Sequence, residues 1–197
     1  MNKSRLEAFS DGVIAILITI MVLELRAPAG ATLSALRPVL PALLTYVLSF
    51  VFLGIYWTNH HHLLHATERA TGKILWANLH LLFWLSLVPF VTGWMGENHF
   101  AALPTAVYGA VFLLCAIAYT ILQAVIVAEQ GPSSTLAAAL GSDVKGKLSL
   151  AAYVLAIPLA FVHVAIADAL YVLVALIWFV PDRRIERRLA GGVSIST

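Results

Sequence analysis

Residues 5–25 read Arg5-Leu6-Glu7-Ala8-Phe9-Ser10-Asp11-Gly12-Val13-Ile14-Ala15-Ile16-Leu17-Ile18-Thr19-Ile20-Met21-Val22-Leu23-Glu24-Leu25. From Gly12 to Leu23 no side chain is charged. With its flanks the run supplies the ~20 residues a helix needs to cross a bilayer. Phe9, Ile16, Ile20 and Leu23 share one stripe of such a helix, with Thr19 at its edge, because 16, 19, 20 and 23 follow the i, i+3, i+4, i+7 rule. Asp11 falls on nearly the opposite face. A carboxylate at that depth is costly unless donors meet it, so Asp11 is expected to point into protein and be hydrogen-bonded there.

The same stretch could open a secreted chain. Lys3 and Arg5 would form the basic region, Gly12 to Leu25 the apolar region, and Ala27-Pro28-Ala29 the cleavage site. Glu7 and Asp11 spoil that basic region. The segment is therefore expected to be retained as a first transmembrane helix.

Composition extends this reading to the whole chain. Of 197 residues, 61% are hydrophobic and 11% charged, and the mean hydropathy is +0.91. A soluble domain is nearer half apolar and a quarter charged. Five further apolar segments follow the first (Glu7–Leu25): Val39–His61, Ile74–Met95, Ala101–Ala128, Leu148–Ala165 and Ala167–Pro181. The last two are short, with Pro158 interrupting the fifth and Asp168 marking the break between them. They read as a tight helical hairpin; the alternative is one long kinked helix and five spans. The expected fold is all-α, one polytopic domain of six transmembrane helices over residues 1–197, with a basic tail from about 182 to 197. The single cysteine, Cys115, lies in an apolar stretch and offers no disulfide.

With six spans, Lys3, Arg5, Arg69, Lys73, Lys145, Lys147, Arg183, Arg184, Arg187 and Arg188 fall on one side, and only Arg26 and Arg37 on the other. That asymmetry puts both termini in the cytoplasm. Five spans would put the four C-terminal arginines outside.

The second segment closes with Tyr56-Trp57-Thr58-Asn59-His60-His61-His62-Leu63, near the same membrane surface as Asp11. Trp57, Asn59 and His60 can all donate hydrogen bonds, so this cluster is the expected partner of Asp11. His61 and His65 are spaced i, i+4, but a metal site usually needs three or four ligands. No metal is expected. His80 and His163, inside spans, read as satisfied core residues.

Arg5-x-x-x-Phe9-Ser10-Asp11 at the head of an apolar helix, together with Tyr56-Trp57-x-Asn59-His60-His61, resembles the two motifs of the lysosomal-type potassium channel family (transmembrane protein 175 family) and its bacterial members. Length and span count agree over the whole chain. The resemblance implies a homotetramer in which the first helices line a central pore. It implies constrictions at Ile16, Ile20 and Leu23, a threonine at Thr19 that contributes to selectivity, and Arg5, Phe9, Ser10 and Asp11 holding the helix in its bundle. A six-helix subunit with one pore-like helix needs partners to enclose a pore.

Val91-Thr92-Gly93-Trp94 faintly matches a carbonyl filter, but no pore helix precedes it, so selectivity is expected to rest on side chains. Glu24 and Glu97 fall at the outer surface, where acids concentrate cations, and Trp94 and Trp178 fit an aromatic belt. The expected function is a potassium-preferring cation channel of the inner (cell) membrane, not an enzyme. Potassium is its permeant ion and no cofactor is expected; its partners are its own copies, the lipid bilayer and monovalent cations, with no nucleic acid. A secondary transporter would show internal repeats and midplane charges. A membrane enzyme built on the histidine cluster would need an acid or nucleophile from another helix.

Overall fold

A computed structural model describes residues 2–131 and 143–179, and every regular element among them is helical. In chain order these are α1 (Lys3–Leu23), a 3₁₀ turn (Leu33–Val39), α2 (Leu40–His65), α3 (Gly72–Ser86), α4 (Val88–Glu97), α5 (Ala102–Gln130), α6 (Val144–Val162) and α7 (Val164–Phe179). Five stretches are long and apolar enough to span a bilayer: α1, the turn with α2, α3 with α4, α5, and α6. The described part of α7 is a shorter apolar helix of 16 residues.

Local chemistry sets the ends. Asn2 Oδ1 accepts the Ser4 N–H to start α1, and Thr71 Oγ1 accepts from Ile74 N to start α3. Pro41 sits in the first turn of α2, where a missing N–H costs nothing. Pro89 does the same for α4. It also divides the third span at Leu87, since a proline N cannot bond back to the Leu85 carbonyl. The segment expected as one helix, Ile74–Met95, is thus two helices in line.

The hairpin holds, but its turn moves. The chain becomes extended at His163, with φ −158° and ψ 102°, five residues before Asp168. Pro158 lies inside a continuous α6 and does not end it. α6 and α7 run antiparallel: Trp178 Nε1 donates to Ser149 Oγ at 2.8 Å, and the Tyr153 and Tyr171 rings lie 6.1 Å apart. His163 is exposed at the turn rather than buried, and His80 is exposed too, its ring accepting from Trp84 Nε1 at 2.9 Å. The middle of the connection before α6, Pro181 and the basic tail with its four arginines lie outside the described residues.

α5 runs through the centre of the bundle, packed by α3, α4, α6 and α7. Tyr108, Phe112, Cys115 and Leu122 on α5 are fully buried. Apolar attraction alone does not hold helices together in lipid, so close approach and hydrogen bonds must. Gly96 supplies the first: a Cβ there would stand 2.7 Å from the Ala42 Cα of α2. Ser49 supplies the second, bonded to Thr92 Oγ1 of α4 at 2.7 Å and to the Tyr108 hydroxyl of α5 at 3.1 Å. Among the described residues α1 packs mainly on α2, α3 and α4, which leaves it at one edge.

Candidate ion pathway and its anchors

The edge position gives α1 two unlike faces. Leu6, Ser10, Ile14, Leu17 and Met21 repeat every three or four residues and are buried in the subunit. On the far side, Phe9 is 53% exposed, Ile16 58%, Ile20 39% and Leu23 82%. Thr19 is exposed between them, and its hydroxyl donates to the Ile16 carbonyl at 2.8 Å. That bond spends the hydroxyl proton and leaves the oxygen lone pairs free. The stripe read from the sequence is thus an apolar face left largely exposed by the described residues.

Three hydrogen-bonded links tie α1 to the bundle, and two of them start from Asp11 and Ser10. In the first, Trp57 Nε1 of α2 donates to Asp11 Oδ1 at 3.0 Å. Asp11 is half-buried and Trp57 is 47% exposed, so this bond lies at the rim. The second is wholly buried. Ser10 Oγ donates to the Leu6 carbonyl at 2.9 Å, so its oxygen accepts from Asn78 Nδ2 of α3 at 3.0 Å. Asn78 Oδ1 lies 2.6 Å from His60 Nε2 of α2. Because that amide oxygen can only accept, His60 is the tautomer with its proton on Nε2. One chain of hydrogen bonds therefore joins α2, α3 and α1.

Asn78 was not among the residues singled out from sequence. Its signal was an amide inside the apolar run Trp76-Ala77-Asn78-Leu79, which in a membrane must find a partner. His60 and Asn59, expected as alternative donors to Asp11, go elsewhere. His60 serves Asn78. Asn59 Nδ2 bonds its own helix at the Ile55 carbonyl, 2.8 Å away, and the Asn59 carbonyl accepts from the Tyr119 hydroxyl. Arg5 and Phe9 are exposed, and among the described residues Arg5 makes no ion pair that would tie α1 to its own bundle. Lys3 is the cation that does so, donating to the His65 carbonyl at 2.6 Å and lying 4.0 Å from Glu7. His61 is exposed, its ring 6.4 Å from Trp57 and stacked 6.1 Å from His65.

At the opposite end of α1 an open cavity of about 470 Å³ is lined by Glu24, Arg26, Tyr46, Phe90, Trp94 and Glu97. Arg26 lies 3.9 Å from Glu97, both exposed, so the pair is weak. Val91–Trp94 is a turn of α4, not an extended loop. Glu24, just beyond α1, has its pKa raised, first by desolvation against the cavity wall and then by the charge of Glu97. A raised carboxyl pKa favours the protonated form, so this mouth loses negative charge at a higher pH than free glutamate would. Cation conductance is expected to fall as the pH on that side drops through the carboxylate range. Glu24→Gln should flatten the upper part of that fall; single-channel recordings at stepped pH check it, and an unchanged profile would remove Glu24 from the pathway.

The family described as endosomal/lysosomal potassium channel TMEM175 matches over residues 5–89. A potassium channel of Chryseobacterium sp. (strain P1-3) is 54% identical, covering 96% of this chain and 98% of its own length. One from Streptomyces collinus is 33% identical, covering 89% and 91%. The crystal structure of a lysosomal potassium-selective channel TMEM175 homolog from Chamaesiphon minutus is similar with a TM-score of 0.80, at 26% identity over 91% of this chain and 97% of that one. These relatives are named as channels, not enzymes.

Proposed function

Because the chain belongs to the TMEM175 family, we propose that it is a potassium-preferring cation channel whose pore is enclosed by the α1 helices of a homotetramer. The observation that carries this reading is the bare face of α1. An apolar stripe in lipid is ordinary, but this one belongs to a helix fastened on its other sides by Asp11 and Ser10. Four such stripes around a fourfold axis would stack Ile16, Ile20 and Leu23 as hydrophobic rings, with Ile16 nearest the cytoplasm. Such rings gate by shedding water. Selectivity rests on side chains and not on a carbonyl filter. The chain lies in the inner membrane with both termini cytoplasmic, as the lysine and arginine asymmetry requires.

The test is potassium efflux from liposomes holding the purified protein, with sodium as comparison. Faster potassium efflux that does not saturate supports the channel. Saturable flux, or flux coupled to a second ion, points to a transporter.

Thr19 adds a finer expectation. Its hydroxyl oxygens, four in the tetramer, would face the pore with lone pairs free for a partly dehydrated ion. Thr19→Val keeps the shape and removes the oxygens. The potassium-to-sodium permeability ratio in bilayer recordings is expected to fall by a fewfold, because the oxygens that replace part of the ion's hydration are gone. An unchanged ratio would leave Thr19 as a packing residue bonded to Ile16.

A further inference from the structure

A second cavity lies away from α1, between α2, α5, α6 and α7, with a volume of about 50 Å³. It has room for a handful of waters, the scale of a trimethylammonium head and not of a drug-sized ligand. Five of its lining residues are aromatic: Phe52, Tyr56, Tyr119, Tyr153 and Trp178. One is charged, Asp143. The polar tips of two rings are already committed to protein: the Tyr119 hydroxyl donates to the Asn59 carbonyl at 3.1 Å, and Trp178 Nε1 to Ser149 Oγ at 2.8 Å. What the cavity offers a guest is therefore almost wholly apolar and ring surface, with the Asp143 carboxylate at its margin.

We propose that this cavity is a binding site for a methylated ammonium group, caged by the aromatic rings and neutralised by Asp143. Ring faces attract cations, and aromatic boxes bind quaternary ammonium in this way. A primary ammonium would bring three N–H donors into a lining with few free acceptors. A quaternary one brings charge without donors. The rings already tolerate a cation nearby, for Lys145 Nζ stands 5.9 Å from the centre of the Trp178 ring. Asp143 caps α6 through Oδ1, which accepts from Gly146 N at 3.1 Å. It does so at φ +37°, in the left-handed region where aspartate is one of the few non-glycine residues enriched. The left-handed backbone sets this carboxylate at the cavity margin.

The site is tested by titration calorimetry on the purified full-length protein with tetramethylammonium and with choline, against the neutral isostere 3,3-dimethylbutanol. The cations are expected to bind saturably, and the alcohol about tenfold or more weaker, because only the cations gain from the rings and the carboxylate. Asp143→Asn keeps an acceptor for the Gly146 N–H and suits positive φ, so the fold should persist while affinity falls about tenfold. Tyr56→Leu, at a half-buried position, should weaken binding similarly. No saturable binding, equal binding of the alcohol, or unchanged affinity in Asp143→Asn would each overturn the proposal. Repeating the titration in phosphatidylcholine and phosphatidylglycerol nanodiscs separates two sources of the group. Weaker apparent binding in phosphatidylcholine identifies a lipid headgroup as occupant; equal binding identifies a free ammonium compound.

Discussion

Asparagine at Ile16, Ile20 or Leu23 should raise conductance and lower the preference for potassium over sodium. In the proposed tetramer each residue contributes one of four side chains to a narrow apolar ring. A permeating ion must lose part of its hydration there, or wait for the ring to widen. Four amides would hold water in the ring and supply partial ligands. A barrier lowered by about 1 kcal/mol raises the rate about fivefold, and the discrimination that rested on dehydration falls with it. The control belongs on another helix: Val172 on α7 is exposed. Ile18, which the helical wheel also puts off the stripe, packs against the core, so its substitution would read as lost folding instead. If Val172→Asn changes conduction as much as the three stripe variants, α1 does not line the pore.

Asn78→Leu should weaken the subunit more than Asp11→Ala. Leucine keeps the branching and heavy-atom count of asparagine but is bulkier, so some overpacking adds to the lost hydrogen bonds. Both Ser10 and His60 lose a partner, and all three residues are buried. Interhelical hydrogen bonds in membranes contribute about 0.6–1.7 kcal/mol each, so the pair costs about 1–3 kcal/mol. Asp11→Ala frees one indole N–H that is already part-exposed at the rim, where water can replace the carboxylate. Thermal unfolding in detergent, followed by the loss of tetramer on size exclusion, orders the two. A variant of Asn78 as stable as wild type would mean that the buried relay does not hold α1.

The all-helical membrane fold, the hairpin and the partnership of Asp11 with the Trp57 cluster were all legible because each rests on a strong local rule. Among the described residues, five of the six expected spans are long and apolar enough to cross a bilayer. Twenty apolar residues cannot sit in water, and a carboxylate cannot sit bare in lipid. Which of three donors Asp11 takes was not legible. Trp57 and His60, three residues apart on α2, differ in direction by only about 60°, less than the rotation of a helix can be guessed, and Asn59 points nearly the opposite way. The position of the turn at His163 was missed for a related reason. Asp168 is the residue that looks like a break, but the first turns of α7 carry it without interrupting the helix.

Sequence by itself determined that the chain is a helical membrane protein, which face of the first helix is apolar, and the family to which its two motifs point. These follow from composition and from periods of three and four residues, which any helix must obey. Tertiary structure alone decided that this face stays bare while Ser10, Asn78 and His60 meet inside the bundle. It also decided that Arg5 and Phe9 turn away from the bundle, and that five aromatic residues from four helices line one cavity together with Asp143. Contacts between residues 50 or more positions apart depend on how helices are rotated and how closely glycines let them approach, and no local period encodes either.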